Sequence, residues 1–134
     1  MTTAVQVAVA SRVDAERACR SARTLVRELG FSAVDAECVS LAVSELATNL
    51  VRHAHGGELR LAIVEGPRGR GLQVESRDAG PGIANLDLAL EDGYSTTGGL
   101  GSGLPAARRL MDEFTIASDD RGTHVVARKW PLPA

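Results

Sequence analysis

From Val13 to Ala54 the apolar residues recur every three or four positions, and that period breaks once, at Gly30-Phe31-Ser32. The pattern predicts two consecutive amphipathic helices, so the rest of the chain must cover their apolar faces. The first starts at Ser11, turns Ala15, Ala18, Ala22, Leu25, Val26 and Leu29 to one side, and stops at Gly30, a natural C-cap. In the second, Phe31 staples the start and Ser32 accepts from the first free amides. Asp35 favours the positive end of the helix dipole, and the helix reaches Ala54 ahead of Gly56 and Gly57.

Strands supply the covering surface. Val5, Val7 and Val9 alternate with smaller or polar residues; Leu59, Leu61, Ile63 and Leu72, Val74, Ser76 alternate on either side of GPRGRG, a β-hairpin pattern ending at Asp78. Residues 79–103 form a long glycine-rich loop with one short helix near Leu86 to Leu90. Pro105 suits the first turn of another helix, with Ala106, Leu110 and Met111 on its core face. Phe114, Ile116 and Ala117 give a strand, DDRG a turn, and His124 to Trp130 a last strand. The order β, α, α, β, β, loop, α, β, β predicts an α+β fold: a two-layer α/β sandwich whose mixed, mostly antiparallel sheet carries helices on one face. At 134 residues it is expected to be one domain, 1–134.

Composition removes several function classes. Lys129 is the only lysine, so there is no G-x-x-x-x-G-K-[ST] phosphate loop. A net charge of -2 and 3% aromatic residues give little support to a basic, stacking groove, so no nucleic acid is expected as partner. Cys19 and Cys38 fall in helical stretches and read as buried free thiols. MTTAVQVAVASR lacks a basic region and a greasy run, and no stretch approaches the ~20 apolar residues of a bilayer span. No membrane association and a cytoplasmic location are the expectation.

Three segments could carry chemistry. Glu45 and Asn49 in SELATNLVRHA are four apart and share a helical face, with His53 one turn on. Taken alone, such a trio also describes a solvated helix face. Asp78 ends a cleanly alternating strand and leads into AGPGI, a turn that brings backbone close to something flat or charged, or serves as an ordinary strand exit. In GGLGSGLPAARRL, Gly98, Gly99, Gly101 and Gly103 crowd in front of a helix, where successive amides can face a phosphate. Gly101, Gly103 and Ala106 with Asp119 formally fit a dinucleotide fingerprint, but STTGG precedes them where a strand is required. Between Arg77 and Arg108 there is no basic residue, while Asp87, Glu91 and Asp92 are acidic. A triphosphate here would need magnesium and backbone amides for neutralisation. Asn49 is a suitable oxygen ligand for that metal, and Glu45 is placed to act as general base.

These segments, with Gly122-Thr123 near the last strand, resemble the ATP-binding domain of the GHKL superfamily, the Bergerat fold of gyrase, Hsp90-type chaperones, histidine kinases and MutL-type proteins. SELATNLVRHA looks like the N box, DAGPGI and GGLGSGL like the two glycine boxes, and RGTHVV like the closing Gly-Thr segment. The resemblance implies that Asp78 accepts the adenine amino group, Gly82 admits the base and Thr123 supports it, with Gly80 and Ile83 in the same box. It further implies that Asn49 holds Mg2+, that Glu45 is the catalytic base, and that Gly99, Gly101 and Gly103 lie along the phosphates of ATP with Gly98, Leu100, Ser102 and Leu104. His53 stands where the pattern takes a basic or polar residue. The loop has no lysine or arginine to reach the γ-phosphate, a departure for which Thr96 and Thr97 could donate instead, or simply form the turn before the glycines.

Among stand-alone members the chain is similar to the serine kinases of bacterial partner switching. DAGPGI and GLGSGLPAARRLMDEF look more like the RsbT-type switch kinases than the anti-sigma factors. A switch kinase implies a protein serine/threonine kinase that phosphorylates a STAS-domain antagonist and then activates a serine/threonine phosphatase, leading to release of a sigma factor in a stress response. An anti-sigma factor implies sequestration of the sigma factor itself. A non-catalytic ATP-sensing scaffold is the third reading.

Overall fold

The computed structural model describes residues 4–80, 82 and 103–131. Within them run β1 (Ala4–Val9), α1 (Arg12–Leu29), α2 (Ala33–His53), β2 (Gly57–Gly66), β3 (Gly69–Arg77), α3 (Gly103–Leu110), β4 (Glu113–Asp119) and β5 (Gly122–Lys129). The short helix expected near Leu86 to Leu90 lies outside the described residues.

Local chemistry sets the helix ends. Ser11 Oγ accepts from the Asp14 amide at 3.4 Å while the Asp14 carboxylate accepts from the Ala10 amide at 3.0 Å, closing the start of α1 from both sides. Gly30 ends it in the left-handed region at φ 71°, and its amide donates to the Arg27 carbonyl at 3.1 Å. Ser32 Oγ then accepts from the Asp35 amide at 3.1 Å and opens α2.

Asp35 has a second role that the dipole argument does not contain. Its side chain is buried, and Oδ1 lies 3.9 Å from Lys129 Nζ. The same ammonium donates to the Leu110 carbonyl at 3.0 Å and the Asp112 carboxylate at 3.3 Å. The only lysine thus ties the start of α2 and the end of α3 to β5.

The five strands pair in the order β1-β2-β3-β5-β4. Every pairing among the described strands is antiparallel. The hairpin is tighter than GPRGRG suggests: Gly66 pairs with Gly69, leaving only Pro67 and Arg68 in the turn. A Cβ at Gly66 or Gly71 would collide with the Trp130 indole, which lies in the notch they leave and donates its ring N–H to Glu113.

Alternation puts Val7, Val9, Leu59, Leu61, Leu72, Val74, Val125 and Ala127 into one core with Ala18, Ala22, Leu25, Val39, Val43, Leu46 and Leu50 of the helices. Burying each leucine contributes about 1.5–3 kcal/mol relative to leaving it in water. The opposite face of the sheet is polar, with cross-strand pairs such as Gln6–Glu58 at 2.7 Å and Arg128–Gln73 at 2.9 Å. The fold is the α+β sandwich that the element order predicts. Cys19 and Cys38 are free thiols, the first buried.

Candidate functional site

The C-terminal half of α2 and the ends of β3 and β5 enclose a cleft. Leu46, Leu50, Ala54, Leu104 and Val125 make its apolar wall, and Asn49, Ser76, Asp78 and Thr123 add polar groups. An apolar slot with a few convergent polar groups suits a flat heterocycle carrying a hydrogen-bonding edge.

Asp78 is the best-anchored of these side chains. Its backbone amide donates to the Thr123 carbonyl at 3.0 Å. Its Oδ1 accepts from the Gly80 amide at 2.9 Å and the Thr123 amide at 3.3 Å. Oδ2 has no partner among the described residues, so one carboxylate oxygen holds the turn and the other is left to the cleft. Gly122 makes this possible, because a Cβ there would strike the Asp78 carbonyl as β5 begins. Thr123 is held in turn by Ser118, with the two hydroxyl oxygens 2.8 Å apart.

Gly82 sits at φ 79° with its missing side chain aimed at the Asp119 carbonyl. This tight approach brings the turn after β3 onto the end of β4, and Gly82 also lines the cleft. Gly80 likewise packs on Ala54, where a Cβ would stand 3.1 Å from Cα. This contact joins the end of α2 to the turn after β3.

At the other end of the cleft, Gly103 opens α3 directly above the N-box face. A Cβ on it would lie 3.3 Å from Asn49 Oδ1 and 4.0 Å from Glu45 Oε2. Glu45, Asn49 and the start of α3 are thereby brought together, as the four-residue spacing and the glycine cluster predict. Burial pushes the Glu45 carboxyl up from the usual range, and the Arg52 guanidinium pulls it partly back. A carboxylate tuned upward and half-buried suits proton acceptance. Asn49 offers a neutral amide oxygen, fitting a magnesium ion that takes one or two protein oxygens and the rest from phosphates and water. Among the described residues there is no cluster of three His, Cys, Asp or Glu side chains for a protein-only metal cage.

Leu104 belongs to the core as much as to the cleft, at 6% exposed. His53 is the last residue of α2, and its side chain lies outside the described residues. Ile83, Thr97, Gly98, Gly99, Leu100, Gly101 and Ser102 also lie outside them. His124 points away from the cleft and pairs with Glu75 on the polar face at 2.5 Å. One cleft residue and one neighbour of Glu45 escape a motif-based reading. Ser76 is a buried hydroxyl at 5% exposed, marked in sequence only by a polar residue at an inward strand position. Arg52, seven residues after Glu45 and within SELATNLVRHA, is exposed and does not line the cleft; it acts on Glu45 through its charge, a role that the motif does not reveal.

The profile of the Histidine kinase-like ATPase domain family matches residues 8–129. The chain is 40% identical over 125 residues to serine/threonine-protein kinase RsbT of Bacillus subtilis, which covers 92% of this chain and 94% of that one. It is 31% identical over 110 residues to the anti-sigma F factor of Clostridium acetobutylicum, 76% and 75% of the two chains. Among solved structures, the RsbU and RsbW domains of a Mycobacterium tuberculosis protein superpose with a TM-score of 0.68 at 20% identity. The match covers 99% of this chain and 34% of that polypeptide, so this chain spans about a third of it. The SiaB-SiaC complex of Pseudomonas aeruginosa shares the fold at a TM-score of 0.55 and 13% identity, over 94% and 88%. With a family match over nearly its whole length and this kinase relative, the chain belongs to the histidine kinase-like ATPase domain family, in the branch that holds serine/threonine kinases and anti-sigma factors.

Proposed function

We propose that this protein is an Mg-ATP-dependent serine/threonine kinase that phosphorylates a STAS-domain antagonist and, once released from it, binds and activates a serine/threonine phosphatase, so regulating a sigma factor. The observation that carries the reading is the juxtaposition of Glu45, Asn49 and the start of α3 beside a cleft that Asn49 shares with a half-committed Asp78. The 40% identity to RsbT supports the switch-kinase role over sequestration.

In this reading Asp78 Oδ2 accepts from the adenine amino group, and Leu50, Ala54 and Val125 flank the ring. Thr123 and Gly80 hold that carboxylate in place through its other oxygen. The phosphates run toward the N-terminus of α3, where free amides and the helix dipole favour negative charge. Asn49 would hold magnesium, which neutralises phosphate charge in a site whose loop has no cation of its own. Glu45 takes the proton from the acceptor hydroxyl as the new O–P bond forms and the bond from the γ-phosphorus to the bridging oxygen breaks, leaving ADP. Gly103 must lack a side chain for α3 to sit this close to Asn49.

The test is incubation with a purified STAS-domain antagonist and γ-labelled ATP. Label on a STAS protein that needs magnesium and disappears in Asn49→Ala supports the reading. ATP binding without any transfer in the presence of magnesium would overturn the kinase claim, and co-purification with a sigma subunit instead of a phosphatase would favour the anti-sigma reading.

A further inference from the structure

The helix layer carries a second concavity that shares no lining residue with the nucleotide cleft. It is an open groove of about 370 Å³ between the C-terminal half of α1 and the first turns of α2. Val26, Phe31 and Ala36 form its floor, Arg23 and Arg27 one wall, and Glu37 and Ser40 the other. Beyond Glu37, Val34 and Leu41 stand 70% and 46% exposed on α2. Large aliphatic side chains left in water beside an apolar groove mark a surface that something covers.

Charge says what covers it. Arg20, Arg23 and Arg27 are spaced three and four apart and share one stripe of α1. All three are exposed and make no salt bridge to any described residue, whereas Arg17, Arg77 and Arg128 are each paired with a carboxylate. Opposite them Glu37 is the one acidic group in the groove wall, with Glu16 a turn before Arg20 on α1. The groove therefore carries an excess of positive charge on a protein whose net charge is -2.

We infer that this groove docks an acidic amphipathic helix of a partner protein, its apolar residues on Val26, Phe31 and Ala36 and its carboxylates along Arg20, Arg23 and Arg27. A helix laid between two others is the common way for an apolar groove of this shape to be filled. Glu37 sets the register, because it repels acidic residues from the α2 side and leaves that wall to apolar contact with Leu41 and Val34. A second copy of this chain is a poor occupant, since it would bring the same excess of arginine against itself. Glu37 lies eight residues before Glu45, roughly 12 Å along the helix. The inference is independent of phosphoryl transfer, and docking should persist in Glu45→Gln.

The test uses a labelled helical peptide about 18 residues long, long enough to hold a helix. It carries leucines at i, i+3 and i+7 and glutamates on the adjoining stripe. Binding is followed by fluorescence anisotropy, and amide chemical shifts map the site. The expected result is saturable binding with shifts centred on Val26, Phe31 and Ala36. Arg23→Glu with Arg27→Glu should weaken it about tenfold or more, 1.4 kcal/mol per decade, while ATP affinity is unchanged. Leu41→Asp should weaken it without altering the charge stripe on α1. Equal binding of a lysine-for-glutamate or scrambled peptide, shifts confined to the sheet face, or equally tight binding of an oligonucleotide of matching charge would overturn the proposal. So would concentration-dependent dimerisation abolished by the same arginine reversals, which would assign the groove to a second copy.

Discussion

Asp78→Asn is the most informative single change, because the carboxylate divides its work between two oxygens. Oδ1 accepts from Gly80 and Thr123 at 2.9 and 3.3 Å. An asparagine can keep its carbonyl oxygen in that position, so the turn stays anchored and the fold is retained. Its NH2 then replaces Oδ2, and in the proposed pose a donor faces the adenine amino group where an acceptor stood. A hydrogen bond to a charged group contributes about 1.5–3 kcal/mol. At 1.4 kcal/mol per decade, ATP should bind roughly ten- to a hundredfold more weakly. Calorimetric titration with ATP and with inosine triphosphate, which lacks the amino group, separates base recognition from general damage. Wild-type protein should bind the inosine nucleotide about as weakly as the variant binds ATP, and the variant should lose little further on inosine. Unchanged ATP affinity in a folded variant, or equal losses on both nucleotides, would refute this placement of the base. Asp78→Ala is a poorer experiment, since it strips the acceptor from two backbone amides and confounds binding with stability.

Other outcomes follow from the same geometry. Glu45→Gln should abolish phosphoryl transfer with ATP affinity retained, as measured by label transfer beside titration. Because burial raises the Glu45 carboxyl and Arg52 lowers it, the base form is lost as pH falls through that raised pKa. Arg52→Met should therefore move the acid limb of the pH–rate profile to higher pH, and an unmoved limb would separate Arg52 from the base. Gly103→Ala should weaken magnesium-dependent nucleotide binding, because its Cβ would crowd Asn49 Oδ1 at 3.3 Å. Gly82→Ala should lower the melting temperature by several degrees, through left-handed strain of ~1–2 kcal/mol and the clash with Asp119. Lys129→Met should destabilise by about 3 kcal/mol in denaturant titration, since it leaves buried Asp35 without its partner. Adding Asp35→Asn should recover much of that loss.

What could be read from sequence was whatever local chemistry decides. Ser11, Gly30 and Ser32 cap where they are expected to because a cap needs only residues within about one turn of it, and the hairpin follows from two alternating runs. The pairing of Glu45 with Asn49 is likewise local, a consequence of one helical turn. Long-range features were illegible. Nothing along the chain says that β5 inserts between β3 and β4, which is what brings Thr123 to Asp78. The lone lysine was informative only as an absence, yet Lys129 clamps two helix ends through contacts 17 to 94 residues away in sequence. Gly82 lines the cleft and also packs on the Asp119 carbonyl, a neighbour that a sequence motif cannot reveal.

Mapping the transferred phosphate tests the central claim most directly. Wild-type protein, magnesium, ATP and a candidate STAS-domain antagonist are incubated, and the antagonist is fragmented for mass spectrometry. The account predicts phosphoserine or phosphothreonine on the partner, absent when Glu45→Gln protein that still binds ATP is used. Phosphate on histidine, or undiminished labelling by the Glu45→Gln variant, would contradict it.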